Sequence, residues 1–140
     1  MAFQTIRDQL HVAASLHRRL HHRYVTLASL AVSPVREMLE LLAEQEDTLA
    51  RGLDGYASCP DRALDTWIQY PTRPAGLTTF DDLETAELPA LAAAWDAEMA
   101  EVYRPLRGSS LARVQALCQS LDEVREARAR ARARLVTIGL

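Results

Sequence analysis

Six polar residues stand where the chain around them is patterned for burial: His17, Gln45, Glu46, Glu98, Arg125 and Arg128. His21 follows His17 by four residues. Two histidines four apart share one helix face, a spacing that can grip a single zinc or iron ion. Glu46 and Glu98 would add carboxylate oxygens to such a site, which would then take iron, manganese or zinc. An arginine works differently. It stays cationic and has no lone pair to give a metal, but it pairs with a carboxylate through two parallel hydrogen bonds. Two chemistries therefore follow. In one, His17, His21, Glu46 and Glu98 hold one metal ion, with oxidase or metal-sequestering activity. In the other, which this reading favours, His17, Gln45, Glu46 and Glu98 form a metal-free polar network, neutralised by Arg125 or Arg128. No catalytic residue and no cofactor are then expected. No nucleophile with an adjacent base and no glycine-rich phosphate loop is visible.

These residues need long elements to bring them together, and four helical segments can be read. The first spans residues about 3–31, with a seam of Phe3, Ile6, Leu10, Ala13, His17, Leu20, Tyr24, Leu27 and Ala31 at alternating spacings of three and four. Ser33 as N-cap and Pro34 at the first helical position start the second, residues about 34–57. Its seam is Val35, Met38, Leu42, Leu49, Leu53 and Tyr56, interrupted at mid-length by Gln45 and Glu46. A third helix, residues about 86–106, turns Leu88, Leu91, Trp95, Met99, Val102 and Leu106 inward, with Glu98 at the seam edge. Gly108-Ser109 is a turn, and the fourth helix covers residues about 110–137.

The short link at Ser33-Pro34 forces an antiparallel hairpin, and so does the turn at Gly108-Ser109. Between the hairpins lies a connection of residues about 58–85, rich in Pro, Asp and Thr, with a short helix expected around residues 64–68. A helix of about 24 residues is roughly 36 Å long, and such a segment can cross it. The expected fold is all-α: one domain, residues 1–140, of two antiparallel helical hairpins joined by a long crossover. His17, Glu46, Glu98, Arg125 and Arg128 then converge at mid-bundle.

The stretch REARARARARL, residues 125–135, resolves within this frame. Leu117, Leu121, Val124 and Leu135 define an inward face at 100° per residue. Arg128 falls on that face, Arg125 and Arg132 flank it, and Arg130 and Arg134 point to solvent. All sixteen basic residues are arginine, and alanine is abundant, a pairing that reflects a bias toward GC-rich codons. No aromatic residue interleaves the arginines, as single-strand stacking would require. With a net charge of −3, no nucleic-acid partner is expected. Arg18, Arg19 and Arg23 read as a solvated face. His22 faces solvent, His11 lies off the main seam, and Trp67 and Trp95 read as packing residues.

Cys59 and Cys118 have no CxxC spacing and suggest neither a disulfide framework nor a zinc knuckle. Arg7 and Asp8 interrupt the N-terminal stretch where a signal peptide needs an apolar run, and no apolar run approaches a membrane span. A soluble cytoplasmic protein is expected, with no membrane partner.

Several stretches carry a resemblance. HRRLHHRYVTLASLA in the first helix is similar to the first helix of rubrerythrin-type ferritin-like proteins, where a ligand Glu precedes a Tyr by seven residues. MLELLAEQEDTLARGL resembles their second helix, with Glu46 at the ligand Glu position and Leu49 at the ligand His position. AEMAEVYRPL resembles the third, with Glu98 five residues before Tyr103. LDEVREAR resembles the fourth, with Asp122 or Glu123 standing for the Glu and Arg125 for the His. ALDTWIQY in the crossover is similar to small bacterial ferritin-like proteins. The resemblance implies a ferritin-like four-helix bundle, whose family members hold two metals between the helices. This chain departs from that pattern. His17 replaces the first Glu, Leu49 the second-helix His and Arg125 the fourth-helix His, so only Glu46 and Glu98 keep their ligand type. The implied protein is a ferritin-like bundle that has lost its di-metal centre, with a structural or protein-interaction role. A homodimer is compatible with it, and the protein partner is not identified.

Overall fold

A computed structural model of the protein describes residues 2–70, 88–109 and 111–137. It is mostly helical, with four helices and a small two-stranded sheet among the described residues. The elements run β1 (Ala2–Thr5), α1 (Ile6–Ser29), α2 (Val35–Ala57), a 3-10 turn (Arg62–Asp65), β2 (Trp67–Tyr70), α3 (Leu88–Arg107) and α4 (Ala112–Thr137). The remainder of the expected crossover, residues 71–85, lies outside the described residues, as do Ser110 and the side chains of Leu88, Leu91, Arg132 and Leu135.

The first helix starts later than its apolar spacing suggests. Residues Ala2–Thr5 pair antiparallel with Trp67–Tyr70, Phe3 opposite Gln69 and Thr5 opposite Trp67. Paired residues share a face, so Phe3 and Trp67 both lie on the outer one. Phe3 is 59% exposed and Trp67 67%, so neither packs in the core as expected. On the inner face Gln4 donates to Gln9 Oε1, and Ile68 packs against the core. Thr5 caps α1, its Oγ1 accepting from the Asp8 amide at 3.1 Å. The expected short helix at residues 64–68 is instead the 3-10 turn followed by β2, whose sequence WIQY suits a pleated surface.

At the other end α1 stops at Ser29, before the expected Ala31, and Pro34 rather than Ser33 occupies the N-cap of α2. The far end of α2 is closed by an arginine. Arg7 donates to the carbonyls of Ala57, Cys59 (2.8 Å) and Asp61 (3.0 Å) and pairs with Asp65 at 3.1 Å. The last carbonyls of a helix lack partners within it, and this side chain supplies one while tying α1 to the 3-10 turn.

Helix directions follow from the contacts. Along α1, His11, His17 and His21 meet Asp54, Glu46 and Ala43 of α2, so these helices are antiparallel. Gln9 and Tyr24 meet Val102 and Trp95 of α3, also antiparallel. Arg107 meets Asp122 and Asp96 meets Arg128, so α3 and α4 are antiparallel. Helices α2 and α3 therefore run the same way, and the end of one and the start of the other lie at opposite ends of the stack. All four helices share one core, built on Leu10, Leu20, Leu39, Leu42, Trp95, Leu106 and Leu121. Tyr24 and Trp95 meet edge to face, centroids 5.3 Å apart at 84°, an arrangement worth about 0.5–1.5 kcal/mol beyond the buried area.

Candidate functional site: a buried polar network at mid-helix

Each helix contributes to one cluster of polar side chains inside this core. His17 of α1, Glu46 of α2, Asp96 and Tyr103 of α3, and Arg128 of α4 are all buried, Glu46 at 0% exposure. Their neighbours on each helix are apolar, so the same spacing that buries the seams buries them. His17 sits between Ala13 and Leu20, and Glu46 lies four residues from both Leu42 and Ala50.

The hydrogen bonds form a chain. The Tyr103 hydroxyl lies 2.5 Å from His17 Nε2, and His17 Nδ1 contacts Glu46 Oε2. Burial holds the Tyr103 phenol far above its ordinary range; the nearby Glu46 charge acts in the same direction and Arg128 opposes them. The phenol therefore stays protonated in its contact with His17 Nε2. The other oxygen of Glu46, Oε1, is 2.5 Å from an Arg128 guanidinium nitrogen. This contact is held by charge, since its geometry is not that of a directed hydrogen bond. A second guanidinium nitrogen donates to Asp96 Oδ1 at 3.4 Å. Arg128 is thus seated between two buried carboxylates, one from α2 and one from α3.

Three of the sequence-expected network residues are here: His17, Glu46 and Arg128. Three are not. Arg125 is 42% exposed at its side chain and lies 3.9 Å from Asp122. Asp122, one of the residues aligned with a ligand Glu, is bound instead by Arg107 at 2.9 Å on the surface. Glu98 is half-buried, off the network. Gln45 is half-buried too, and its buried Oε1 has no hydrogen-bond partner. The helix-three carboxylate is Asp96, which the seam as drawn through Trp95 and Val102 passed over. A seam of Ala92, Asp96, Met99, Tyr103 and Leu106 has the same alternating spacing, and it contains both residues that were missed. Arg130 and Arg134 are exposed, as expected.

The donor set does not suit a metal pair. His17 has both nitrogens engaged, and Glu46 has one oxygen against His17 and the other against a fixed cation. His21 donates Nδ1–H to the Ala43 carbonyl at 2.8 Å and does not join His17. No group of three or more His, Cys, Asp or Glu side chains suited to a metal occurs among the described residues. Cys118, the buried free thiol among the described residues, is not set up as a nucleophile. Burial pushes the Cys118 thiol up, against the opposing effect of Arg107, which disfavours the reactive thiolate. No helix of the described residues is long and apolar enough to cross a membrane.

Comparison with protein-family models, with curated proteins and with solved structures finds no match for this chain.

Proposed function

We propose that this protein is a non-catalytic ferritin-like bundle in which an arginine has replaced a di-metal centre, and that it serves a structural or protein-interaction role. The observation that carries this reading is the seat of Arg128 between Glu46 and Asp96. Carboxylates left in a core without compensation cost several kcal/mol each, and a metal pair normally compensates them in such bundles. Here a guanidinium supplies the positive charge from within the chain. It needs no loading, cannot leave, and repels a second cation. The antiparallel hairpins and the common direction of α2 and α3 support the ferritin-like reading of the fold. The His17–Tyr103 contact supports the non-catalytic reading, because it ties up the one imidazole that the network contains.

Elemental analysis of protein purified without a histidine tag tests the proposal. Well under one equivalent of iron, manganese or zinc per chain is expected, with a melting temperature indifferent to chelator. Close to two metals per chain would overturn it. Close to one metal, lost in His17→Ala, would favour a metalloprotein that uses His17 and Glu46.

A further inference from the structure

We propose that the face formed by α2 and α4 is a docking surface for a second copy of this chain, related by a two-fold axis parallel to the helices. Helices α2 and α4 meet along a much narrower seam than α1 and α2. Between them a groove of about 350 Å³ opens to the surface, with Leu41 and Leu49 on one wall and Val124 and Ala127 on the other. Leu41 is 46% exposed there. Glu44, which lines the groove, and an exposed arginine of α4 carry opposite charge at the same height. Glu46 touches Arg128 and the helices are antiparallel, so two residues back on α2 is level with two residues on along α4. Those residues are Glu44 and Arg130. Both are exposed, and neither makes an ion pair among the described residues.

This arrangement selects both the occupant and the geometry. A two-fold contact brings the same patch of each subunit together, so the patch must complement itself. An axis in the interface parallel to the helices keeps height and exchanges left for right. It lays α2 of one copy over α4 of the other and sets Glu44 opposite the partner's Arg130, twice. An axis in the same plane but across the helices lays α2 on α2 and loses this pairing. The apolar walls supply burial and the charges set the register, the usual division of labour at an interface. This inference rests on the α2/α4 surface and is independent of what the buried network does.

Sedimentation velocity on the full chain, over a concentration series at physiological salt, tests it. A dimer is expected. Leu41→Arg should abolish it, and Glu44→Arg or Arg130→Glu should each weaken it by at least about tenfold, since like charges then face each other twice. Mixing the Glu44→Arg chain with the Arg130→Glu chain should restore association, because each contact again pairs opposite charges. These positions are exposed, and far-UV circular dichroism checks that each variant is folded. Should Leu41→Arg fail to fold, the mixing experiment decides alone. A chain that is monomeric throughout, a dimer indifferent to the charge reversals, or a mixture that stays monomeric would overturn the proposal.

Discussion

Arg128 and Arg125 stand one turn apart on the same helix, and both pair with aspartate. Arg128 is 4% exposed at its side chain and touches Glu46 and Asp96, which are buried too. Arg125 is 42% exposed, and its partner Asp122 is shared with Arg107 at the surface. The ionic chemistry is the same and the consequences are not. At the surface water competes for every charge, and such pairs contribute about 0–1 kcal/mol. Inside the core nothing replaces a lost partner, and the remaining ion is stranded at a cost of several kcal/mol. An arginine's burial therefore says more about its role than its place in a run of arginines.

Removing each arginine should separate the two regions most sharply. Arg128→Ala takes the guanidinium away from buried Glu46 and Asp96, and the expected loss is roughly 3–5 kcal/mol. Arg125→Ala should stay within about 0.5 kcal/mol. Adding Glu46→Gln to Arg128→Ala should recover part of the loss, because one stranded charge disappears. Urea unfolding of the three variants measures this. Equal indifference of Arg125 and Arg128 would erase the contrast and the metal-replacement reading with it.

A smaller effect is expected on α3, where Asp96 and Glu98 are two residues apart on different faces. Asp96→Ala takes an acceptor from a buried guanidinium, and an unsatisfied buried donor costs about 1–3 kcal/mol. Glu98→Ala should be close to neutral. Thermal melts of the pair would show which carboxylate belongs to the network.

That pair also shows how far the sequence could be read. Periodicity located four helices and two hairpins, because an amphipathic stripe is a local property of the chain. It turned His17 and Glu46 inward for the same reason, and left the inward arginine open between Arg125 and Arg128. It erred where two stripes of equal spacing overlap. On α3, Trp95 and Val102 define one seam and Asp96 and Tyr103 another only one residue away, so counting alone cannot choose between Asp96 and Glu98. Packing against α1 and α4 chooses, by bringing Tyr103 to His17 and Asp96 to Arg128. The strand at Ala2–Thr5 was hidden differently. Phe3 falls in step with Ile6 and Leu10, but its conformation is set by residues Trp67–Tyr70, far along the chain.

Within the buried region, Tyr103 offers a milder test. Tyr103→Phe removes the hydroxyl that is hydrogen-bonded to His17 Nε2 while keeping the ring, and one net hydrogen bond is worth about 0.5–1.5 kcal/mol. The phenol also carries a pH signature. Its proton is held more tightly in the folded chain than in the unfolded one, chiefly by burial. Its contribution is full below the ordinary phenol value of about 10 and is lost as the pH rises above it, where the unfolded phenol ionises first. The wild type should lose stability above that pH more steeply than Tyr103→Phe, as read by urea midpoints across the alkaline range. Parallel curves would mean that the phenol is not buried as described.

The smallest effect belongs to the surface pair. Arg107 donates to both oxygens of Asp122, and this hydrogen bonding, aided by the charges of Arg107 and Arg125, holds the Asp122 carboxyl below its usual range. A carboxyl lowered in the folded state stabilises the fold above its ordinary value of about 4 and loses that contribution as the pH falls through its folded value. Asp122 is 45% exposed, so water screens most of the gain, and Arg107→Ala should cost only a few tenths of a kcal/mol at neutral pH. The cost should shrink in high salt, which screens exposed charges, and vanish in acid once Asp122 is protonated in the folded state as well as the unfolded one. The Arg128→Ala penalty, sheltered from solvent, should hardly respond to salt. Urea midpoints of both variants in low and high salt complete the contrast: a salt-sensitive Arg128 and a salt-blind Arg107 would invert the assignment of buried and exposed pairs.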